Sequence, residues 1–409
     1  VVQLLPLLGD SPAEALTAAG AFRRALRESE SVPKKIARRG RSAAPAASPE
    51  NHPLAADLDG ILDRTEGLLG ELAGGRILVT GGTGFVGTWL LESLAWANRR
   101  RRLRIEVTLL ARHPDRLAAK APRLATDPAF SLVRGDVRSL TTRTLPSAAP
   151  FDAVIHAAFG SGASGDDRPD PLETLDTIVG GTRRVLELCR RTGSRRMLFV
   201  SSGAVYGRQP PGLRRVDELF PGAPDPLDPR SAYGEAKRLA ELLCRCYQER
   251  GIVDPRIARL FAFVGPHLPL DAHFAVGNFL RDRLAGGPIR VAGDGTARRS
   301  WLHAADLTVW LWTILLRGEP GRAYNVGSEE SASILDLARR VATLDTTPPL
   351  PVVVAGRRIA GQRAERYVPA TRRAEKELGL RRTIDLDEAL RRTLAWHLRE
   401  IESGRSRGG

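Results

Sequence analysis

The chain has 409 residues, 42% of them hydrophobic, enough for one large α/β domain, a smaller lobe and a tail. Its longest apolar stretch, "VWLWTILL" at 309–316, is far shorter than a bilayer span. The N-terminus "VVQLLPLLG" lacks the charged n-region of a signal peptide, so a cytoplasmic protein with no membrane partner is expected. The net charge of +15 is almost all arginine, clustered at 34–41 and 99–104; aromatic residues that would stack bases are not interleaved with these runs, so solvated surface is favoured over nucleic acid.

Cys189, Cys244 and Cys246 make no disulfide framework, and Cys-x-Cys alone is not a zinc site, so no metal is expected. Residues 1–50, rich in Ala, Ser, Pro and Arg, read as a disordered N-terminal extension with room for one amphipathic helix, capped by Ser11 with Glu14 three residues on. Helical spacing over 54–73 predicts a lead-in helix within 51–75.

From residue 76 strands and helices alternate. "RILVT", "IEVTLLA", "FSLVRGDV", "FDAVIHAA", "RMLFVSS" and "PRIARLFAFVG" read as strands. Helices read over "GTWLLESLAWAN", "LETLDTIVGGTRRVLELCRRTG" and "AYGEAKRLAELLCRCYQERG". This rhythm predicts an α/β fold, a Rossmann-type doubly wound parallel sheet over 76–265. Beyond it lie short strands ("PIRVAG", "AYNVG", "PVVVA") and helices at 333–344, 371–379 and 385–400. These predict a smaller α+β substrate lobe over 266–402, interleaved with the first domain, and a flexible tail over 403–409.

"ILVTGGTGFVGTWLLESL" sets Gly81, Gly84 and Gly87 between a strand and a helix opened by Phe85 and Val86. Such a turn lets a pyrophosphate approach free N–H groups at the helix N-terminus, which predicts NAD(P) as cofactor. At the end of the next strand, where a carboxylate would hold the ribose hydroxyls of NAD, stands Ala111, followed by Arg112 and, nearby, Arg116. Arginine without a carboxylate favours the 2′-phosphate of NADP over NAD. Asp136, in "RGDV", is placed to accept from the adenine amino group, with a simple turn aspartate as the alternative.

"AYGEAK" puts Tyr233 and Lys237 one helical turn apart. A phenol with an ordinary pKa of about 10 is a poor base at neutral pH; a neighbouring ammonium favours its ionised form. Ser202, in "VSSGAVYG", is placed to hydrogen-bond the same substrate oxygen. The three together predict hydride chemistry at a carbinol carbon, with Tyr233 as acid/base.

"TGGTGFVG", "GDV", "DAVIHAA", "VSSGAVYG", "YGEAK", "RLFAFVGP", "GDGTARRSWLHAADL" and "YNVGS", in this order, resemble the extended short-chain dehydrogenase/reductase family, in particular the NAD-dependent epimerase/dehydratase group acting on nucleotide sugars. The resemblance covers about 75–400. It implies Ser202, Tyr233 and Lys237 as catalytic residues, with Val137, Ala157 and Ala158 beside the glycine turn around the cofactor. It also implies Asn278, Arg299 and Arg366 on a nucleotide-diphosphate sugar, and a homodimer through the helices carrying "VGGTRRVLEL" and "YGEAKRLAEL". His303 and Asp306 are expected to fix the helix that follows them, and His156 to be a strand-end residue rather than a base.

Dehydratases of the family carry Thr-Asp-Glu where this chain has Ser202-Gly203-Ala204. Gly and Ala trade no protons, so 4,6-dehydration of that type is disfavoured, and an epimerase or ketoreductase is the expected activity. The alternatives are a dehydratase or decarboxylase of the same family with acids supplied from elsewhere, a reductase of a non-nucleotide carbonyl, or a non-catalytic NADP-binding regulator. Two departures, Ile178 before "VGGT" and Ala262 in "RLFAFVGP", fall where the family often has Asn.

Overall fold

The structure, a computed structural model, describes residues 52–147, 149–159, 170–272, 274–359, 361 and 363–406. The expected N-terminal extension and its Ser11 cap lie outside these residues. The lead-in segment forms helix α1 (Ala55–Arg64) and a 3₁₀ turn at Leu69–Leu72.

The strands are β1 (Arg76–Thr80), β2 (Glu106–Ala111), β3 (Phe130–Arg134), β4 (Ala153–His156), β5 (Arg196–Ser202) and β6 (Asp254–Leu260), then β7 (Phe263–Val264), β8 (Ile289–Val291), β9 (Arg298–Ser300), β10 (Leu302–His303), β11 (Ala323–Val326), β12 (Ser331–Ser333), β13 (Val352–Val354) and β14 (Arg366–Tyr367). Seven of them build one parallel sheet in the order β11-β6-β5-β4-β1-β2-β3. The chain leaves β1 in one direction and returns beside it at β4, so the order reverses between these two strands. Open α/β sheets bind ligands at such a switch point.

Both faces of the sheet are covered. On one side lie α1, α2 (Phe85–Arg101) and α6 (Ala304–Arg317), numbered with α3 (Gly181–Thr192), α4 (Ala232–Glu249) and α5 (Ala275–Leu284) between them; α3 and α4 cover the other. Strands whose two faces are both buried need no polar alternation, and Ile77, Leu78 and Val79 are all fully buried. The apolar run at 309–316 is the core of α6, sandwiched between sheet, α1 and α2; among the described residues no helix is long and apolar enough to cross a membrane. Three arginines of the 99–104 run are spent on ion pairs, Arg99 to Asp127, Arg100 to Asp59 and Arg101 to Asp63.

Two expectations need correction. "AYNVG" is not a strand of the small lobe: β11 pairs with β6 as an edge of the main sheet, because Tyr324 and Val326 supply apolar side chains for that sheet's core. The C-terminal helix, which follows α7 (Ile334–Ala342) and α8 (Arg372–Leu378) as α9 (Leu386–Ser406), runs into the stretch read as tail, since nothing stronger than Gly404 interrupts it.

The smaller lobe packs α5, α7, α9 and β8 around Trp301, Phe279 and Leu337. It is tied to the sheet through Asp306. That fully buried carboxylate accepts from Arg64 of α1 at 2.5 Å and from the Thr383 hydroxyl at 2.6 Å. It also accepts from the backbone of Thr383 and Ile384, each at 3.0 Å. His303 caps α6 by accepting from the Ala305 N–H at 3.2 Å, so both residues fix the helix as expected.

Candidate active site

The glycine turn stands at the switch point. Gly81 has φ +77°, and a Cβ there would lie 2.5 Å from the Ala157 carbonyl; one at Gly87 would lie 2.4 Å from the Gly82 Cα. Loop and helix therefore pack at a distance only glycine allows, with Ala157 buried against Gly81 and Ala158 beside it. Gly84, the N-cap of α2, is open by contrast: a Cβ there would meet only the Gly81 carbonyl, at 3.5 Å. No side chain caps this end and no acid stands in its first turn, so the N–H groups of Phe85, Val86 and Gly87 suit a pyrophosphate. The cradle fits a nicotinamide dinucleotide.

Arg112 follows Ala111 out of β2 and reaches Glu173 at 3.3 Å, in a half-exposed ion pair. Asp136 is held by Arg138, its side chain at 2.7 Å and its N–H at 2.8 Å. Partial burial works to raise the Asp136 pKa, but these bonds win and hold it below the usual carboxylate range. Val137 is buried against Gly181, where a Cβ would come within 2.6 Å of it.

Ser202 ends β5, an interior strand, and its hydroxyl accepts from the Ala204 N–H at 3.1 Å, turning the chain into the 3₁₀ segment Gly203–Tyr206. Tyr233 and Lys237 share one face of α4. Burial pushes the Tyr233 phenol above its ordinary pKa, and the neighbouring Ser202 hydroxyl pulls part of the way back. Phe159 closes over the ring edge-on at 6.2 Å.

Lys237 is 2% exposed, and its Nζ lies 6.0 Å from the Tyr233 ring centroid and 4.9 Å from that of Phe199, while donating to the Val200 carbonyl at 2.7 Å. Burial lowers its pKa to about 8, against the opposing pull of Glu241. The ammonium expected to activate the phenol is thus desolvated and tied to the backbone, and Tyr233 rests as a neutral phenol in this arrangement. His156 is fully buried between the hydroxyls of Thr80 (2.7 Å) and Thr182 (3.1 Å); burial, and then Lys237, hold its pKa down to about 3. It is no base.

Ile178, fully buried, lies in a π-helical turn at Asp176–Gly180, and its carbonyl accepts from the Thr182 hydroxyl at 2.5 Å. Asn278, on α5, can reach the carbonyls of Ala272 and Leu270 at 3.0 and 3.3 Å, fixing the loop before its helix. Arg299, on β9, donates to the Arg298 carbonyl and stands 3.6 Å from Glu365. Arg366 opens β14, half-buried, and makes no ion pair among the described residues.

Two groups escaped the sequence reading. Tyr367, paired with Arg299 across β14 and β9, puts its hydroxyl 3.5 Å from the Ser202 Oγ. Glu241, one turn beyond Lys237, accepts from Ser201 at 2.5 Å and from Arg259 at 2.6 Å. Arg259 in turn reaches the Tyr206 hydroxyl at 2.9 Å, bracing β5 and β6 behind the site. The i, i+4 spacing of Lys237 and Glu241 was readable; nothing in the sequence pointed to Tyr367.

The sequence model of the NAD dependent epimerase/dehydratase family matches residues 77–327. UDP-glucuronic acid decarboxylase 1 of Xenopus tropicalis is 30% identical over 333 residues, spanning 80% of this chain and 73% of that protein. UDP-glucuronic acid decarboxylase 6 of Arabidopsis thaliana is 31% identical over 66% of this chain and 74% of its own length. Among solved structures, the dTDP-glucose 4,6-dehydratase of Streptomyces venezuelae, with NAD and TYD bound, superposes with a TM-score of 0.65 at 26% identity, covering 80% of this chain and 98% of that one. These relatives support the dehydratase-or-decarboxylase alternative better than the epimerase or ketoreductase expected first. With its glycine cradle at the switch point and Ser202, Tyr233 and Lys237 at the ends of β5 and α4, the chain is a member of the NAD dependent epimerase/dehydratase family.

Proposed function

We propose that the protein oxidises C4 of a nucleotide-diphosphate uronic acid and releases its carboxylate as carbon dioxide, as the names of its decarboxylase relatives suggest. The observation that carries this is the site's set of proton-handling groups: Tyr233 beside Ser202, followed by Gly203 and Ala204. Eliminating water across C5 and C6 needs one base and one acid there. Breaking the C5–C6 bond of a 4-keto uronate needs no base at C5 and no acid on a leaving hydroxyl, because its electron pair flows into the C4 carbonyl; it needs only a proton for C5 afterwards.

A nicotinamide dinucleotide held in this cradle would supply the hydride acceptor and, later, the donor. The chain's own residues do the rest. The α2 N-terminus and Gly84 hold the pyrophosphate. Ser202 orients the C4 oxygen while Tyr233 takes its proton, and Lys237 supplies positive charge beneath the ring. Arg299 and Arg366 grip the diphosphate, and Asn278 keeps the covering loop in place. Release of labelled carbon dioxide from UDP-glucuronic acid labelled at C6 tests the assignment; an unlabelled gas phase with active cofactor reduction would reject it.

For the cofactor, β2 ends in Ala111 with no carboxylate to hold the ribose hydroxyls of NAD, and Arg112 after it favours the 2′-phosphate of NADP, which would compete with Glu173 for the guanidinium. Arg112→Asp is expected to weaken NADP binding at least tenfold, about 1.4 kcal/mol, and to spare NAD, read by fluorescence titration of both. Equal loss of both would assign Arg112 to a structural role.

A further inference from the structure

Gly203 leaves a hole that the fold has filled. A Cβ at this position would lie 2.8 Å from the Tyr367 hydroxyl and 2.7 Å from the Phe261 Cζ. The phenol of Tyr367 therefore occupies the space into which a side chain at 203 would point. It is brought there by β14, from 165 residues beyond Ser202, and lies against Phe261 with ring centroids 4.7 Å apart. Its hydroxyl lies 3.4 Å from the Leu260 carbonyl and 3.5 Å from the Ser202 Oγ. The Ser202 hydroxyl thus neighbours both phenols, Tyr367 at 3.5 Å and Tyr233.

We propose that Tyr367 is the second proton-handling residue of this site, standing in from the smaller lobe for the side chain that residue 203 lacks, and that it protonates C5 of the keto sugar after the carboxylate has left. This rests on the decarboxylation reading. Once C4 is a ketone, the C5–C6 bond breaks, carbon dioxide departs, and the electron pair forms a C4–C5 enolate. The pair then returns to C5 and takes the phenol's proton, restoring the ketone and leaving a phenolate. Water refills the phenolate after the product leaves, which supplies the one proton that decarboxylation of a carboxylate consumes. Tyr233 exchanges its own proton only with the C4 oxygen. Burial, partly offset by Ser202, keeps Tyr367 protonated until a basic carbon is formed beside it.

The test is Tyr367→Phe, which keeps the ring on Phe261 and removes only the hydroxyl. Purified wild type and variant are mixed with nicotinamide dinucleotide and UDP-glucuronic acid in D₂O, following cofactor absorbance and the product by mass and NMR. The expected result is a first phase of cofactor reduction within about threefold of wild type and product formation slowed about a hundredfold. Reduced cofactor accumulates with the sugar held at the C4–C5 enolate, ahead of the keto-pentose, and C5-deuterated product forms at the same reduced rate.

Tyr367→His, which keeps a transferable proton, recovers about a tenth of the wild-type rate and serves if the first variant does not fold. Product formation at the wild-type rate in Tyr367→Phe, or an equal fall in both phases, overturns the proposal. If wild type releases no carbon dioxide, the decarboxylation reading fails. The role of Tyr367 is then read from C5 deuteration of whichever nucleotide sugar reduces the cofactor, present in wild type and lost in Tyr367→Phe. A wild type that oxidises no nucleotide sugar rejects both.

Discussion

Tyr233 and Lys237 make opposite demands on the same buried pocket. The phenol must ionise to work, yet burial raises its pKa, and the ammonium that should help is itself pushed down to about 8. If Tyr233 takes the C4 proton as proposed, Tyr233→Phe should lower kcat by about 10² to 10⁴ while cofactor affinity stays within threefold. Full activity in that variant would remove the acid/base assignment. Lys237 also leaves a mark on stability. Its pKa is depressed in the folded protein, so between about 8 and its ordinary value near 10.5 the unfolded chain binds the proton and the folded chain does not. Stability should therefore rise with pH across this window, by an amount on the order of 3 kcal/mol, and Lys237→Met should flatten the rise. Urea unfolding from pH 7.5 to 9.5 measures both; parallel slopes in the two proteins would contradict the buried ammonium.

At the scale of elements, the site depends on how β1 turns into α2. Gly81 combines a positive φ with a Cβ position that overlaps the Ala157 carbonyl. Gly81→Ala should cost at least about 2 kcal/mol in thermal unfolding and abolish cofactor binding by calorimetry; unchanged binding would mean that the cradle tolerates a side chain. This turn was legible in the sequence because glycine spacing, strand and helix all pointed to one geometry, and the period of the flanking segments fixed a doubly wound sheet. The edge strand β11 was not assigned to that sheet, because four residues of "AYNV" carry no local sign of which sheet they join. Tyr367 was invisible for a stronger reason. Its role comes from a gap at Gly203 and from β14 lying beside β9, a long-range pairing of two-residue and three-residue strands that no local pattern encodes. Gly203 was read as an absence of chemistry, whereas in the fold it makes room for a side chain from elsewhere.

Over the whole molecule, the site is a joint product of the sheet and the smaller lobe. The main sheet supplies Ser202 through β5 and the cofactor cradle through β1, while α4, packed on its face, carries Tyr233 and Lys237; the lobe supplies Arg299 and Tyr367 through β9 and β14. Asp306, gripping both α1 and the segment before α9, holds the two together. Joined in this way, the proposed site has Tyr233 for the C4 oxygen and, at Gly203 and Ala204, no base for C5, a set that under the proposed reading suits losing carbon dioxide rather than water. Mass spectrometry of the nucleotide product after incubation with UDP-glucuronic acid and nicotinamide dinucleotide tests this most directly. The account predicts a UDP-pentose, lighter by carbon dioxide with one hydrogen returned from water; a product of unchanged mass, epimerised at C4, or one lighter by water would contradict it.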